Sequence, residues 1–121
     1  MAGVAGTLGK SIFFKLAGVS GVLGVALGAY GAHGPSLNKP GAEKFKEVFK
    51  TANLYHLVHT VALLAAPLAQ RPNLVGGLIF TGMTLFSGSC YVVALSQNRK
   101  LGILAPFGGT LLMIGWASFL F

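Results

Sequence analysis

The sequence predicts an all-α integral membrane bundle of four transmembrane helices, with an amphipathic helical extension before the second span. Three observations carry that prediction. Of 121 residues, 54% are hydrophobic and 9% charged, whereas a soluble globular domain carries roughly 25% charged residues. Four apolar stretches come close to the roughly 20 residues that a helix needs to cross about 30 Å of hydrocarbon. The separators "HGPSLNKPG", "QRPN" and "SQNRK" combine proline, amides and cations as turns do, and no ten-residue alternation suits a barrel.

The first span is read from Ser11 to Ala32. It is longer than a signal-peptide core and lacks a convincing A-x-A cleavage site, so it is expected to be retained. Within "GVSGVLGVALGAYGAHG", Ser20, Gly24, Gly28 and Ala32 recur every four residues, which lets a second helix approach closely. That stripe serves packing inside the bundle or against a partner subunit. The linker that follows is partly helical by pattern: Pro40 suits a first turn and Glu43 complements its positive end, so a helix is expected to start near Lys39.

This helix continues into the second span, Asn53 to Ala69. At 100° per residue, Phe45, Phe49, Ala52, His56, His59 and Leu63 share one face, opposite Glu43, Glu47 and Lys50. The third span runs from Leu74 to Ser96 and the fourth from Gly102 to Phe121, so the chain is one transmembrane domain over 1–121.

The net charge of +7 does not imply nucleic acid, because the cations stand singly between apolar runs rather than in a dense patch. They read as topology signals, with Lys39, Lys44, Lys46 and Lys50 as lipid-headgroup contacts. Lys39, Lys44, Lys46, Lys50, Arg99 and Lys100 fall on one side of the membrane, against Lys10, Lys15 and Arg71 on the other. The richer loops, 33–52 and 97–101, are therefore expected to face the cytoplasm or matrix.

Candidate chemistry is sparse. His33 ends the first span, and His56 and His59 begin the second, so all three lie toward one membrane face. Converging imidazoles could bind zinc or haem, or hydrogen-bond a quinone carbonyl; the structural alternative is bonding to backbone and headgroups. A metal site would bring supporting carboxylates, and the only acids, Glu43 and Glu47, face away. No metal or cofactor is expected. Cys90 is the only cysteine, which leaves no disulfide or CxxC motif. "GTLGKS" lacks P-loop spacing. The spans hold no acid and only Lys15 as a cation, so a proton relay lacks its usual parts. The third span places Ser87, Ser89, Cys90 and Tyr91 without a nearby histidine-acid pair, so no enzyme activity is expected.

Four segments together, "ALGAYGAHG" from Ala26, "ANLYHLVHTVALL" from Ala52, "GMTLFSGSCYVVALS" from Gly82 and "LAPFGGTLLMIGW" from Leu104, resemble the small transmembrane protein 256 family. The match runs in order from the first span to the C-terminus. The resemblance implies a four-helix membrane protein of unknown function in the mitochondrial inner membrane, with the bacterial inner membrane as alternative. His33 and His59, with Tyr91 and Trp116, fit the family pattern best.

The function expected is a non-enzymatic accessory subunit or assembly factor of a larger inner-membrane complex, a respiratory one first. Its partners are membrane lipids and the subunits of that complex. The alternatives are a small-ligand protein holding quinone, haem or metal through His33 and His59, and a lipid-organising protein.

Overall fold

The computed structural model describes residues 3–121, with side chains from Ile12 onward. Met1 and Ala2, and the side chain of Lys10, lie outside the described part. Four helices form an antiparallel bundle: α1 (Gly3–His33), α2 (Glu43–Ala65), α3 (Pro72–Ser96) and α4 (Ala105–Ser118). Short 3-10 turns occupy Ala66–Leu68 and Arg99–Gly102. No strand occurs among the described residues.

The boundaries follow local chemistry. Glu43, not Lys39, begins α2, because Gly41 takes a left-handed φ of 88° that breaks any helix begun at Pro40. Pro67 has no N–H to continue the α2 ladder, so the helix expected to Ala69 stops at Ala65 and tightens into a 3-10 turn. Pro72 opens α3, where a missing N–H costs nothing. At the other end of α3, Gln97 adopts the left-handed conformation, with φ 57°. The fourth apolar stretch, expected over 102–121, is an α-helix of 14 residues preceded by the 3-10 turn.

Among the described residues three segments are long and apolar enough to cross a membrane: Ile12–His33, Pro72–Ser96 and Arg99–Ser118. α2 is not among them. Its first two turns carry Glu43, Lys44, Lys46, Glu47 and Lys50, and the apolar remainder from Ala52 to Ala65 spans only about 20 Å at 1.5 Å per residue.

Packing is uneven. α3 lies against both α2 and α4, whereas α1 rests on α2 and meets α3 only marginally. The α3–α4 contact is backbone to backbone. A Cβ on Gly82 would come within 2.8 Å of the Leu112 nitrogen and 3.0 Å of the Gly108 oxygen, and one on Gly108 would strike the Phe86 nitrogen. On α1, Gly24 faces Leu57, Gly28 faces Asn53 and Gly31 faces Phe49. The stripe read from the sequence is thus taken up inside the bundle at Ser20, Gly24 and Gly28. Ala32 is exposed, and Gly31 holds the fourth contact instead.

Two apolar clusters fill the interior. The larger joins all four helices through Phe13, Ala17, Leu63, Val75, Ile79 and Leu112. The smaller, at the cationic end, is built from Leu37, Phe49 and Ala94. Leu37 comes from the linker, which folds under the bundle rather than extending from it. Asn38 Nδ2 holds that fold by donating to the Gly31 and Gly34 carbonyls at 3.2 and 2.7 Å, which satisfies the orphan acceptors at the end of α1. Between the two clusters lies a layer of polar side chains.

Candidate functional site

The polar layer is built from three helices. His56 is the middle of it: its Nδ1 lies 2.8 Å from the Tyr91 hydroxyl on α3, and its Nε2 lies 2.9 Å from Ser20 Oγ on α1. Ser20 Oγ stands 2.6 Å from Thr60 Oγ1, and Thr60 Oγ1 donates to the His56 carbonyl at 2.7 Å. Asn53 Nδ2 donates to Tyr91 Oη at 3.1 Å and to the Gly24 carbonyl at 2.8 Å. No buried polar side-chain atom lacks a partner among the described residues.

The direction of each bond follows from proton accounting. A carbonyl can only accept, so the Thr60 proton is committed to His56 O. A 2.6 Å contact between two hydroxyl oxygens needs a proton between them, so Ser20 donates to Thr60. Ser20 then accepts from His56 Nε2–H, which leaves Nδ1 as the acceptor of the Tyr91 proton. Tyr91 in turn accepts from Asn53. The result is a one-way chain: Asn53 to Tyr91 to His56 to Ser20 to Thr60, ending on a backbone carbonyl. In lipid an interhelical hydrogen bond contributes about 0.6 kcal/mol on average, so these links fix the register of α1, α2 and α3 more than they add stability.

His59, one turn later, is arranged differently. Its Nδ1–H donates to the Tyr55 carbonyl at 2.7 Å, and its Nε2 accepts from Trp116 Nε1–H at 2.9 Å. The Tyr55 ring stacks on it at 5.8 Å and 15°. Both nitrogens are therefore occupied, and His59 ties α2 to α4. His56 and His59 are 8% and 5% exposed; they share the buried face, but a step of three residues turns them about 60° apart.

His33 joins neither group. It is exposed at the end of α1, nine residues beyond Gly24, which contacts His56, or about 13 Å along the axis. The pairing of His33 with His59 expected for haem, metal or quinone is not brought together. Among the described residues no group of three or more His, Cys, Asp or Glu side chains could hold a metal ion. Of the expected headgroup contacts, Lys39, Lys44 and Lys50 are exposed. Lys46 is instead half-buried, its Nζ donating to Asn38 Oδ1 at 2.5 Å, and Lys50 pairs with Glu47 at 3.8 Å.

Sequence reasoning placed His56 and Tyr91 among its candidate polar residues and Ser20 only in the packing stripe, and it missed Asn53 and Thr60. The signal for Thr60 was present: it stands four residues after His56, on the same helical face. Asn53 carried no such mark, because an amide beside a charged turn also reads as surface.

A cavity of about 350 Å³ opens where α1 stands off from α3. Ser20, His56 and Tyr91 lie at its base, and Leu16, Leu23 and Phe80 line its walls.

Fold and site together define a small polytopic helical membrane protein with a buried histidine-centred polar layer. The chain belongs to the family described as protein of unknown function DUF423, whose model matches residues 27–109. It is 36% identical over 110 residues to a UPF0382 membrane protein of Staphylococcus saprophyticus, covering 87% of this chain and 90% of that one. It is 36% identical over 112 residues to the UPF0382 membrane protein YwdK of Bacillus subtilis, covering 87% and 89%. A UPF0382 membrane protein of Schizosaccharomyces pombe is 36% identical over 115 residues, with coverage of 88% and 97%. No solved structure matches. The resemblance read from the four segments is met at the level of an uncharacterised small membrane family; the matched name is DUF423 rather than transmembrane protein 256.

Proposed function

We propose that the protein is a non-enzymatic accessory subunit or assembly factor of a larger inner-membrane complex, docked through the outer face of α1. One observation carries this reading. Gly18, Val22, Val25, Ala29 and Ala32 are all exposed and recur at spacings of four and three, the seam of a left-handed helix pair. Val22 and Val25 are 72% and 67% exposed, and a Cβ on Gly18 would meet nothing. This seam lies about 120° around α1 from the stripe that faces α2. Small and β-branched residues in such a row favour close helix association in lipid, where apolar burial alone gives little drive.

The membrane in question is the bacterial inner membrane or its mitochondrial counterpart, with the loops carrying Lys39 to Lys50 and Arg99 to Lys100 on the cytoplasmic or matrix side. A respiratory complex is the first partner to test. Membranes solubilised in mild detergent and separated by native size should show the chain comigrating with a large species, and Val22→Phe or Ala29→Leu should release it. A lone small species from the unmodified chain overturns the reading.

A further inference from the structure

The cavity between α1 and α3 has a property that its lining residues do not show singly. Each hydroxyl at its base has already given its proton away. Ser20 donates to Thr60 and Tyr91 to His56, by the accounting above. Ser87 Oγ donates to the Ala52 carbonyl at 2.9 Å, and Thr84 Oγ1 to the Phe80 carbonyl at 2.8 Å. Both His56 nitrogens are occupied, and the sulfur of Met83 can only accept. The few polar atoms that reach the cavity are therefore acceptors, set in an otherwise apolar lining that offers no free donor.

We infer that this cavity is a binding site for an apolar molecule that brings its own hydroxyl donor: a phenol, a reduced quinone or another lipid alcohol. Its volume is in the range of small-molecule pockets, and an apolar wall with a few convergent polar groups is how such pockets are built. A carbonyl compound such as an oxidised quinone finds no donor there; one that displaced an existing bond would leave a buried group unpaired. A bare acyl chain would fill the walls and gain nothing from the base. Access is lateral, from the lipid, because Leu27 and Tyr91 pack into the smaller apolar cluster and close the cationic end. The site is independent of the α1 seam, since Leu16, Leu23 and Leu27 lie on a different face from Val22 and Val25.

The test uses the full chain in micelles with methyl-labelled methionine. Met83 lines the cavity, whereas Met113 is exposed on α4 and serves as an internal control. The probes are 4-dodecylphenol and its methyl ether, which differ by the donor alone. The phenol should shift the Met83 resonance saturably, at least tenfold more tightly than the ether, with Met113 unmoved. Gly88→Leu should abolish the response, because Gly88 lines the cavity and a Cβ there meets nothing within 4 Å, so the added side chain projects into the space. Unchanged Trp116 fluorescence reports that this variant is folded. Equal affinity for phenol and ether, no Met83 response to either, or a response surviving Gly88→Leu overturns the assignment; the first comparison needs no variant at all.

Discussion

The two flanks of α3 are built from the same residue types but are not equally closed. Toward α4, glycines are filled from across the interface: Gly82 by Leu112, Gly108 by the Phe86 backbone and Gly115 by Ile79. Toward α1 the fit is uneven: the Phe13 ring fills Gly76, whereas Gly88 faces open space, and a cavity remains where a close contact could have formed. Each flank has its histidine. His59, on the closed flank, has both nitrogens spent on its own helix and Trp116, whereas His56, on the open flank, sits within a chain of hydroxyls at the base of the cavity. A glycine in a membrane helix is thus no statement about packing until its neighbour is known, and a buried histidine is no statement about ligation until both nitrogens are counted.

The sharpest way to break this comparison is at the glycines. Gly108→Leu should destabilise the bundle by about 3 kcal/mol, because the obstacle is backbone and cannot move aside. Gly88→Ala should be neutral or stabilising by up to about 1 kcal/mol, the helix-propensity gain alone. Equilibrium unfolding in mixed micelles, followed by circular dichroism, measures both; similar losses would erase the distinction between the flanks.

The histidines come next. His56→Ala strands Tyr91 and Ser20 without their partner, and should cost about 2 kcal/mol. It should also loosen α1, which faster amide hydrogen exchange in that helix would report. Trp116→Phe removes one donor to His59 and should cost about 1 kcal/mol, seen in the same unfolding assay. A larger loss there than at His56 would reverse the ranking.

At the surface the effect is on membrane association rather than on the fold. Replacing exposed Lys44 with Gln should weaken association with anionic vesicles by about 1 kcal/mol and leave the fold unchanged. Lys46→Gln should instead shift stability, since its ammonium holds Asn38. Flotation with vesicles of graded anionic content separates the two.

The sequence made the helices and their faces legible. The 100° spacing put Phe49, Ala52, His56, His59 and Leu63 together, and all five are buried. Which neighbour each would meet was not legible, because helix pairing is a property of the assembled bundle. His56 and His59 look alike in sequence, and 60° of rotation sends one toward α1 and α3 and the other toward α4. The expected start of α2 failed because proline and acidic signals outweighed Gly41 in that reading, although only glycine suits its positive φ. Ala32 continues the four-residue stripe on paper, yet α2 meets Gly31 instead because the stripe drifts by 40° at each step. His33 looked close to the other histidines because the depth of α2 in the membrane could not be read.

The linker under the bundle also bears on synthesis. Leu37 is buried against Ala94, and Gln97 Nε2 donates to the Ser36 carbonyl at 3.2 Å across 61 residues of chain. During translation the α1–α2 hairpin must therefore enter the membrane with Leu37 uncovered, and its cationic end stays open until the last turn of α3 has emerged. A ribosome-stalled chain ending before Ala94 should leave that linker cleavable by protease, and one extending past Gln97 should not.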